Sequence, residues 1–533
     1  MRCTVLRLTA LLAIATGCGS VDDPARCATS ADCVAGEYCA SAEGERRCWP
    51  DGHDPVVSDV TVRCLGAAAG EACPRDGTLR VTATATDVEE LAEVRAALTL
   101  APGASVVMVR SGATWTADLP LAAAPVPAFE ATVDAIVTGR DGARRSASVT
   151  TTAAIPVTRL RWTREVEPGV PVALTPAAVM PDGTVVVAGS NGKVYFTSPD
   201  GTQAHAPVTV GAGQAISAAP AIGTKAIWVG SEDGWLRGLA LDGSGALLGV
   251  AVNSEGPIRG SVAVLTEPTR EWGFVASTSG RLAGASSAGG TDITGAAGAY
   301  AVGPVMDRNE WVYAATSSRT SVIRSYSFDS AFTDRWGVTP PVVGVSVEVP
   351  LVIAKNDEVL SVGQDGLVSS TTSSGQTSLL ATLTDIATDS PVILSNGDIV
   401  VGDQSGVLHR LSSSGVAVWA QPKRLSGPVL SPLVLADTSA TLIVPTRSGT
   451  VYALDGSGAQ IWSHTLGTGA ELRSGNLHTK PGQPPGQVTS TAYYPTSDGK
   501  LHAVIVDGRL DTSAPWPKAF HDPRNTSNAG TTP

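Results

Sequence analysis

The chain has 533 residues, 43% of them apolar and only 16% charged, with 57 glycines, 35 prolines and a formal net charge of −12. The length exceeds one ordinary domain unless a repeat architecture gathers many residues into one unit. The acidic balance, without any cluster of Lys or Arg, excludes a nucleic-acid or anionic-lipid surface, because such partners need concentrated positive charge. Neutral or basic partners are expected, and the turn-rich composition reads as all-β.

In chain order, Arg2 and Arg7 give a positive start, Leu8 to Thr16 an apolar run, and Ala15-Thr16-Gly17 a small-residue cleavage site before Cys18. Residues 1–17 are therefore expected to be a signal peptide. The apolar run covers about 14 Å as a helix, well short of a hydrocarbon core of about 30 Å, so it is too short to span a membrane. The Ala-Thr-Gly-Cys run resembles a bacterial lipobox, with Ala15 where Leu is more usual. That resemblance implies acylation of the Cys18 thiol and a lipoprotein of the cell envelope. Gly19 after the cysteine favours the outer membrane, with the protein facing either the periplasm or the outside. Attachment would then be through lipid alone. An ordinary signal peptide cut nearby is the alternative.

With Cys3 removed and Cys18 acylated, six cysteines remain: Cys27, Cys33, Cys39, Cys48, Cys64 and Cys73. An even number in an exported chain points to disulfides. The first four, spaced C-x5-C-x5-C-x8-C, lie in a segment (18–54) too short and polar for a hydrophobic core, so cross-links are expected to fold it. A zinc site is the rival, but CxxC pairs and a suitably placed His are missing and no metal is expected. The segment resembles the small cysteine-rich modules near the start of myxobacterial surface lipoproteins.

From 55 to 157 the texture changes to strands with period-2 alternation. Leu79, Val81, Ala83 and Ala85 share one face, as do Val94, Ala96, Leu98 and Leu100. Asp141-Gly142 marks a hairpin, because both residues tolerate positive φ. About seven short strands in such a length suggest a β-sandwich, and "TATATD" and "VTGRDGARR" resemble bacterial immunoglobulin-like domains. Cys64 and Cys73 are placed to staple its first hairpin. Asp87 and Asp141 read as turn caps and not as calcium ligands, since no ligand cluster accompanies them.

Residues 158–528 are periodic. One phrase recurs as "SNGKVYFTSPDGT", "EDGWLRGLALDGSGA", "TSGRLAGASSAGG", "QDGLVSSTTSSGQ", "QSGVLHRLSSSGV", "RSGTVYALDGSGA" and "SDGKLHAVIVDGR". Its first glycines are Gly192, Gly234, Gly280, Gly366, Gly406, Gly449 and Gly499, and the double gap after Gly280 holds "EWVYAATSSRTSVIRSYSFDS", the same phrase without glycines. A second glycine follows nine residues on in all but the second, which needs eleven and reaches Gly245. Two bends so spaced leave about 20 Å of extended chain, a normal strand. Upstream hairpins such as Asp182-Gly183 and Asn396-Gly397 complete four strands per unit. Repeated four-stranded sheets make a β-propeller, here of eight blades, with seven as the alternative count.

The phrase "VYALDGSGAQIW" resembles the quinoprotein (PQQ-like) propeller repeat: Ala453, Asp455, Gly458 and Trp462 match its Ala-x-Asp, Gly, Trp pattern with one residue fewer in the turn. Trp419 stands at the equivalent place and Trp336 at an approximate one, which implies packing between blades for Trp336, Trp419, Trp462 and Asp455. The tail "APWPKAFHDPRNTSN" resembles a phrase flanking such propellers, so Trp516, His521 and Asn525 are expected to seal the ring where its ends meet. Quinone and calcium binding in that family needs an adjacent-cysteine disulfide. This chain has no cysteine beyond Cys73, so no cofactor is expected and the likeness implies the fold alone. "SEDGW", Ser231 to Trp235, reads as a plain hairpin turn. His205, His409, His464, His478 and His502 are dispersed, and no nucleophile-elbow phrase frames a Ser, so no catalytic residue is assigned. The favoured reading is an envelope-anchored lipoprotein whose propeller binds a protein or glycan without catalysis. An exported quinoprotein-like or sugar-acting enzyme using the propeller funnel is the alternative.

Overall fold

A computed structural model describes residues 26–29, 32–33, 37–42, 45–50, 55–68, 70–86, 91, 93–98, 101–121, 128–129, 131–138, 144–151, 155–244, 247–295, 299–300, 302–316, 323–338, 347–437, 439–467, 469–483 and 488–533. The leader, Cys18, Asp87, the Asp141-Gly142 bend and Gly245 fall outside them. No α-helix occurs among the described residues. The chain forms two compact units. One contains the described residues up to Cys73 together with Gly77–Val157, the other Pro74–Asp76 with Thr158–Pro533.

The first unit begins with a hairpin, Glu37–Ala42 against Glu45–Pro50, in which Cys39 and Cys48 face each other. Each is tied to an earlier cysteine, by Cys27–Cys39 and Cys33–Cys48 bonds. So short a hairpin lacks apolar area to offset its conformational entropy, and cross-links reduce the entropy of the unfolded chain instead. The sulfurs of Cys27, Cys33 and Cys48 lie together because of these bonds, which leave no thiolate for a metal.

Two four-stranded sheets follow. One orders Val56–Cys64, Thr78–Thr86, Thr114–Pro120 and Val109–Ser111, the other Arg144–Thr150, Ala131–Thr138, Glu93–Leu98 and Ala101–Val107. Along Thr78–Thr86 every second residue is buried, and Leu79, Val81, Ala83 and Ala85 share one core with Val94, Ala96 and Leu98. The Cys64–Cys73 bond joins the end of the first strand to a fully buried Cys73 in that core.

The second unit contains eight four-stranded antiparallel sheets among its described residues. The first runs Ala178–Val179, Val185–Ala188, Lys193–Thr197 and Gln203–Thr209. Six more repeat that order, with first strands at Ala221–Ile222, Ala263–Thr266, Val305–Met306, Val352–Ile353, Val392–Ile393 and Leu433–Val434. In each, the first two strands are almost wholly buried on both faces, as apolar runs such as "VVVA" and "IVVG" require. The fourth strand is largely exposed, as in Gln203–Thr209. The bends between second and third strands need positive φ: Gly192 has φ 74°, and a Cβ there would lie 2.5 Å from the Gly213 carbonyl carbon.

The eighth sheet is composite. Asn476–Thr479, Thr489–Pro495 and Lys500–Asp507 come from the end of the unit, and the outermost strand, Leu160–Glu165, from its beginning, with Thr163 opposite His502. The two ends of the unit therefore meet within one sheet and close the array of sheets on itself.

Candidate functional site on the axis of the sheets

The short first strands of the eighth, first, second and third sheets approach one another in turn, as do those of the fourth and fifth, so their inner edges converge on one axis. The chain's last segment fills that axis. Val179 and Ile222 donate backbone N–H groups to the carbonyls of Pro523 and Arg524 at 2.7 and 2.8 Å. Val264 and Met306 donate to Thr526 and Ser527, both at 2.9 Å, and Ile393 and Val434 to Trp516 and Pro517, again both at 2.9 Å. Asn476 of the eighth sheet donates its Nδ2 to the Pro523 carbonyl at 2.8 Å. Trp516 and Ala529 join the apolar cluster of Leu351, Val352 and Ile353 in the fifth. Seven of the eight innermost strands are thus hydrogen-bonded to one plug, and the fifth packs against it.

The sequence reading set Trp516, His521 and Asn525 at the meeting of the ring's ends. The ends meet elsewhere, in the eighth sheet, and these three residues belong to the plug. Asn525 is its hub, donating Nδ2 to the carbonyls of Ala177 and Pro220 at 2.9 and 3.2 Å. Lys518 is fully buried, and its ammonium donates to the Asp522 carbonyl at 2.9 Å, to Asn525 Oδ1 at 2.8 Å, and to the Ala519 carbonyl. Burial lowers its pKa to about 7, against the opposing pull of Asp522 and Asp389. Asp522 accepts from the hydroxyls of Thr526 and Thr531 at 2.5 and 2.7 Å, with His521 Nδ1 at 3.7 Å. Its carboxyl is also fully buried, which by itself favours the neutral acid; the bonds and charge of His521, helped by Arg524 and Thr526, outweigh that and hold it below the ordinary carboxylate range. Burying such groups is tolerable only because each is bonded.

The plug's backbone is unusual. Phe520, His521, Asn525 and Ser527 all have positive φ, at 63°, 74°, 58° and 49°. Four non-glycine residues in the left-handed region within eight positions persist only where surroundings over-determine them. Here the surroundings include six strand edges whose N–H groups find their partners in the plug's carbonyls.

Of the tryptophans assigned to packing, Trp336 and Trp462 lie on outermost strands and Trp419 in the bend that leads to one. Trp336 Nε1 donates to the Ser373 carbonyl and Trp419 Nε1 to the Gly456 carbonyl, each at 2.9 Å and each in a turn of the next sheet. Trp462 is buried under the Arg159 guanidinium, 4.1 Å from its ring centre. Sequence reasoning missed Trp162, which makes the same bond to the Pro199 carbonyl at 2.9 Å. Its strand precedes the first full repeat, so no repeated phrase flags it. Asp455 caps its own turn, accepting from Ser457 and Ala459 N–H groups at 2.9 Å. In "SEDGW", Asp233 likewise accepts from Trp235 N–H at 3.0 Å and ion-pairs with Arg237. His409 sits in a buried knot, 3.1 Å from Asp403, which also accepts from the Thr384 hydroxyl.

A quinone seat does not fit this axis: the space is taken by Trp516, Lys518, Phe520 and Asn525, and the described cysteines are all paired far upstream. Chemistry or recognition must use the faces around the plug. One cavity of about 480 Å³ opens beside it, lined by Met180, Leu477, His478, Arg509, Leu510 and Arg524 among others. Another of about 280 Å³ lies between the fifth and sixth sheets, bordered by Lys355, Glu358 and Asn396.

No family model matches the chain, and no curated protein matches it. Solved structures do. A computationally designed protein, Ika8, aligns at TM-score 0.50 with 15% identity, over 66% of this chain and 100% of its own. The WD40 propeller Sqt1 from Saccharomyces cerevisiae aligns at 0.51 with 13% identity, over 63% of this chain and 96% of its own. BamB from Moraxella catarrhalis aligns at 0.48 with 14% identity, over 63% and 98%. The Sqt1 match and the closed array of eight four-stranded sheets among the described residues make the second unit a β-propeller, and the likeness concerns the fold alone.

Proposed function

We propose that this chain is an envelope lipoprotein whose propeller, of eight blades, serves as a non-catalytic scaffold for a protein or glycan partner. In this reading residues 1–17 are a leader, Cys18 carries the lipid, 18–54 form a cross-linked spacer and 55–157 an immunoglobulin-like sandwich. The propeller is displayed from the outer membrane, on its periplasmic or outer side. Trp336, Trp419 and Trp462 act in blade packing, while Asp455 holds the turn between two outer strands.

One observation carries the reading: the axis, where a funnel enzyme holds its reacting groups, is occupied by residues 516–529 bonded to the surrounding strands. A plugged hub makes the ring rigid and leaves its loops and outer strands as the working surface, which is how a scaffold presents itself. Exposed apolar residues on outer strands, Leu379 and Ile461 among them, supply the kind of area a partner buries.

The test has two arms. In a Gram-negative host, metabolic labelling with a palmitate analogue should mark the wild type and not Cys18→Ala. Crosslinking of the full chain in intact envelopes should then trap one or a few specific partners. Absence of label refutes the anchor, and crosslinking no richer than an unrelated lipoprotein refutes the scaffold. The enzyme alternative requires that residues 516–529 leave the axis.

A further inference from the structure

The strongest unexplained feature of the propeller is a pair of arginines without ion-pair partners among the described residues at one mouth of its axis, in a chain whose net charge is −12. Arg509 and Arg524 line the same cavity of about 480 Å³, one from the connection leaving the eighth sheet and one from the plug. Both backbones are fixed: the Arg509 carbonyl accepts from Ala436 N–H at 2.8 Å, and the Arg524 carbonyl from Ile222 N–H at 2.8 Å. Neither guanidinium has an ion-pair partner among the described residues. Most arginines of the propeller do, Arg237, Arg308 and Arg410 among them.

The nearby acids are already used. Asp182 accepts from the N–H and hydroxyl of Thr184 at 2.9 and 3.0 Å. Asp522 is bonded by Thr526 and Thr531 within the plug, and the Arg524 charge acts on it without a direct N···O contact. Asp511 accepts from the N–H and hydroxyl of Ser513 at 2.9 and 2.6 Å. Pro533, which borders the same space, pairs with neither arginine. The rest of the lining is mostly apolar, with Met180, Leu477 and Leu510 among it, and it includes the half-buried imidazole of His478 and three threonines, Thr479, Thr512 and Thr532. Burial holds His478 below its ordinary pKa, so at neutral pH it contributes a hydrogen-bonding group without charge.

Two guanidiniums without direct ion pairs over a mostly apolar wall form a site for an anion with a greasy stem, because Arg presents forked donors that match a carboxylate and the wall rewards burial of alkyl groups. We infer that this mouth binds a carboxylate carried on a short apolar chain, either a free small acid or the end of a polypeptide. The inference goes beyond the scaffold reading and does not depend on it.

Titration calorimetry on the full chain tests it with three probes: hexanoate, an N-acetylated tripeptide ending in leucine with a free carboxylate, and inorganic phosphate. Saturable binding of hexanoate or the peptide is expected below about 10 mM. Arg509→Ala should weaken it tenfold or more, Arg509→Glu should abolish it, and Arg509→Lys should retain part of it. Arg509 is exposed, so these variants should melt as the wild type does. The tighter of the two carboxylates identifies the source. Binding that survives in Arg509→Glu, binding of phosphate as tight as that of both carboxylates, or no saturable heat from either carboxylate would overturn the assignment.

Discussion

The N-terminal region and the propeller solve the same problem by opposite means. Among the described side chains of the Glu37–Ala42 and Glu45–Pro50 hairpin only Cys39 and Cys48 are buried, and two covalent ties hold them. The propeller has no cysteine after Cys73 and relies on strands buried on both faces, on a seam between strands about 340 residues apart, and on a polar plug. A short segment can limit only its unfolded entropy. A ring can close on itself, so that no inner strand keeps an unpaired edge.

The sharpest way to break that comparison is to remove the plug. Deleting residues 515–533 strips backbone partners from Val179, Ile222, Val264, Met306, Ile393 and Val434 at once. The expected result is loss of the cooperative melt and of the near-ultraviolet circular dichroism of the propeller, with secondary structure partly retained. A truncated protein that melts as sharply as the full chain would show that the sheets hold the axis unaided.

Next comes a single buried carboxylate. Glu271 is wholly inaccessible, and its two oxygens accept from Thr224 N–H at 2.5 Å, Ala226 N–H at 3.2 Å, Trp228 Nε1 at 2.9 Å and Thr266 Oγ1 at 3.2 Å, tying the second sheet to the third. Glu271→Ala leaves these donors unpaired and should cost about 3–5 kcal/mol in denaturant unfolding. Glu271→Gln keeps the shape but turns an acceptor into a donor, and should fall between. Equal stability of Ala variant and wild type would place the join between these sheets in apolar packing alone.

Reduction separates the two regions. Each native disulfide of so small a module is worth about 2–4 kcal/mol. Dithiothreitol should therefore expose the segment before Cys73 to proteolysis while leaving the propeller's melting temperature unmoved. A propeller that softened on reduction would show that its stability draws on the cross-linked segment.

Much of this contrast is legible in the sequence, because it is written in residues with few alternatives. Turn glycines such as Gly192, Gly406 and Gly449 are where positive φ is needed, at 74°, 87° and 99°, and their spacing marks the strands between them. Cys64 and Cys73, nine apart, are bonded. The plug was only half legible. Its Trp-Pro and His-Asp phrase is visible, yet its path is set by strand edges contributed by residues 178–477, which no local pattern of the tail encodes. Lys518 reads in the sequence as one more exposed lysine, and its burial follows only from acceptors that folding gathers around it. Arg509 and Arg524 are unremarkable apart until the fold brings both to one cavity. Trp162 escaped because the strand that closes the eighth sheet lies ahead of the periodic phrase.

The smallest expected effect concerns the seam. His502 lies on the eighth sheet's inner side of the closing pair, its Nδ1 2.8 Å from Thr163 Oγ1 across the seam, and it is almost fully buried. Burial is the main cause that lowers its pKa to about 4; Asp498 pulls the other way, and Lys500 and His464 add to the lowering. His464, on the neighbouring seventh sheet, is lowered too, first by burial and then by Arg159. A histidine with an ordinary pKa of about 6.5 when unfolded binds a proton there that the folded protein refuses. Between pH 6.5 and 4 the unfolded state therefore holds more protons, and stability falls as pH falls. The penalty is absent above about 6.5 and fully developed below about 4. A loss of about 2 kcal/mol by pH 5 is expected from His502. Hydrogen exchange should show Leu160–Glu165 and Lys500–Asp507 opening at pH 5 before the inner strands of the second and third sheets do. His502→Gln should flatten the pH dependence while keeping a hydrogen bond to Thr163. A seam that exchanges no faster at pH 5 than at pH 7 would mean that the closing strand is held by its backbone ladder and by Trp162 at Pro199, with the histidine a bystander.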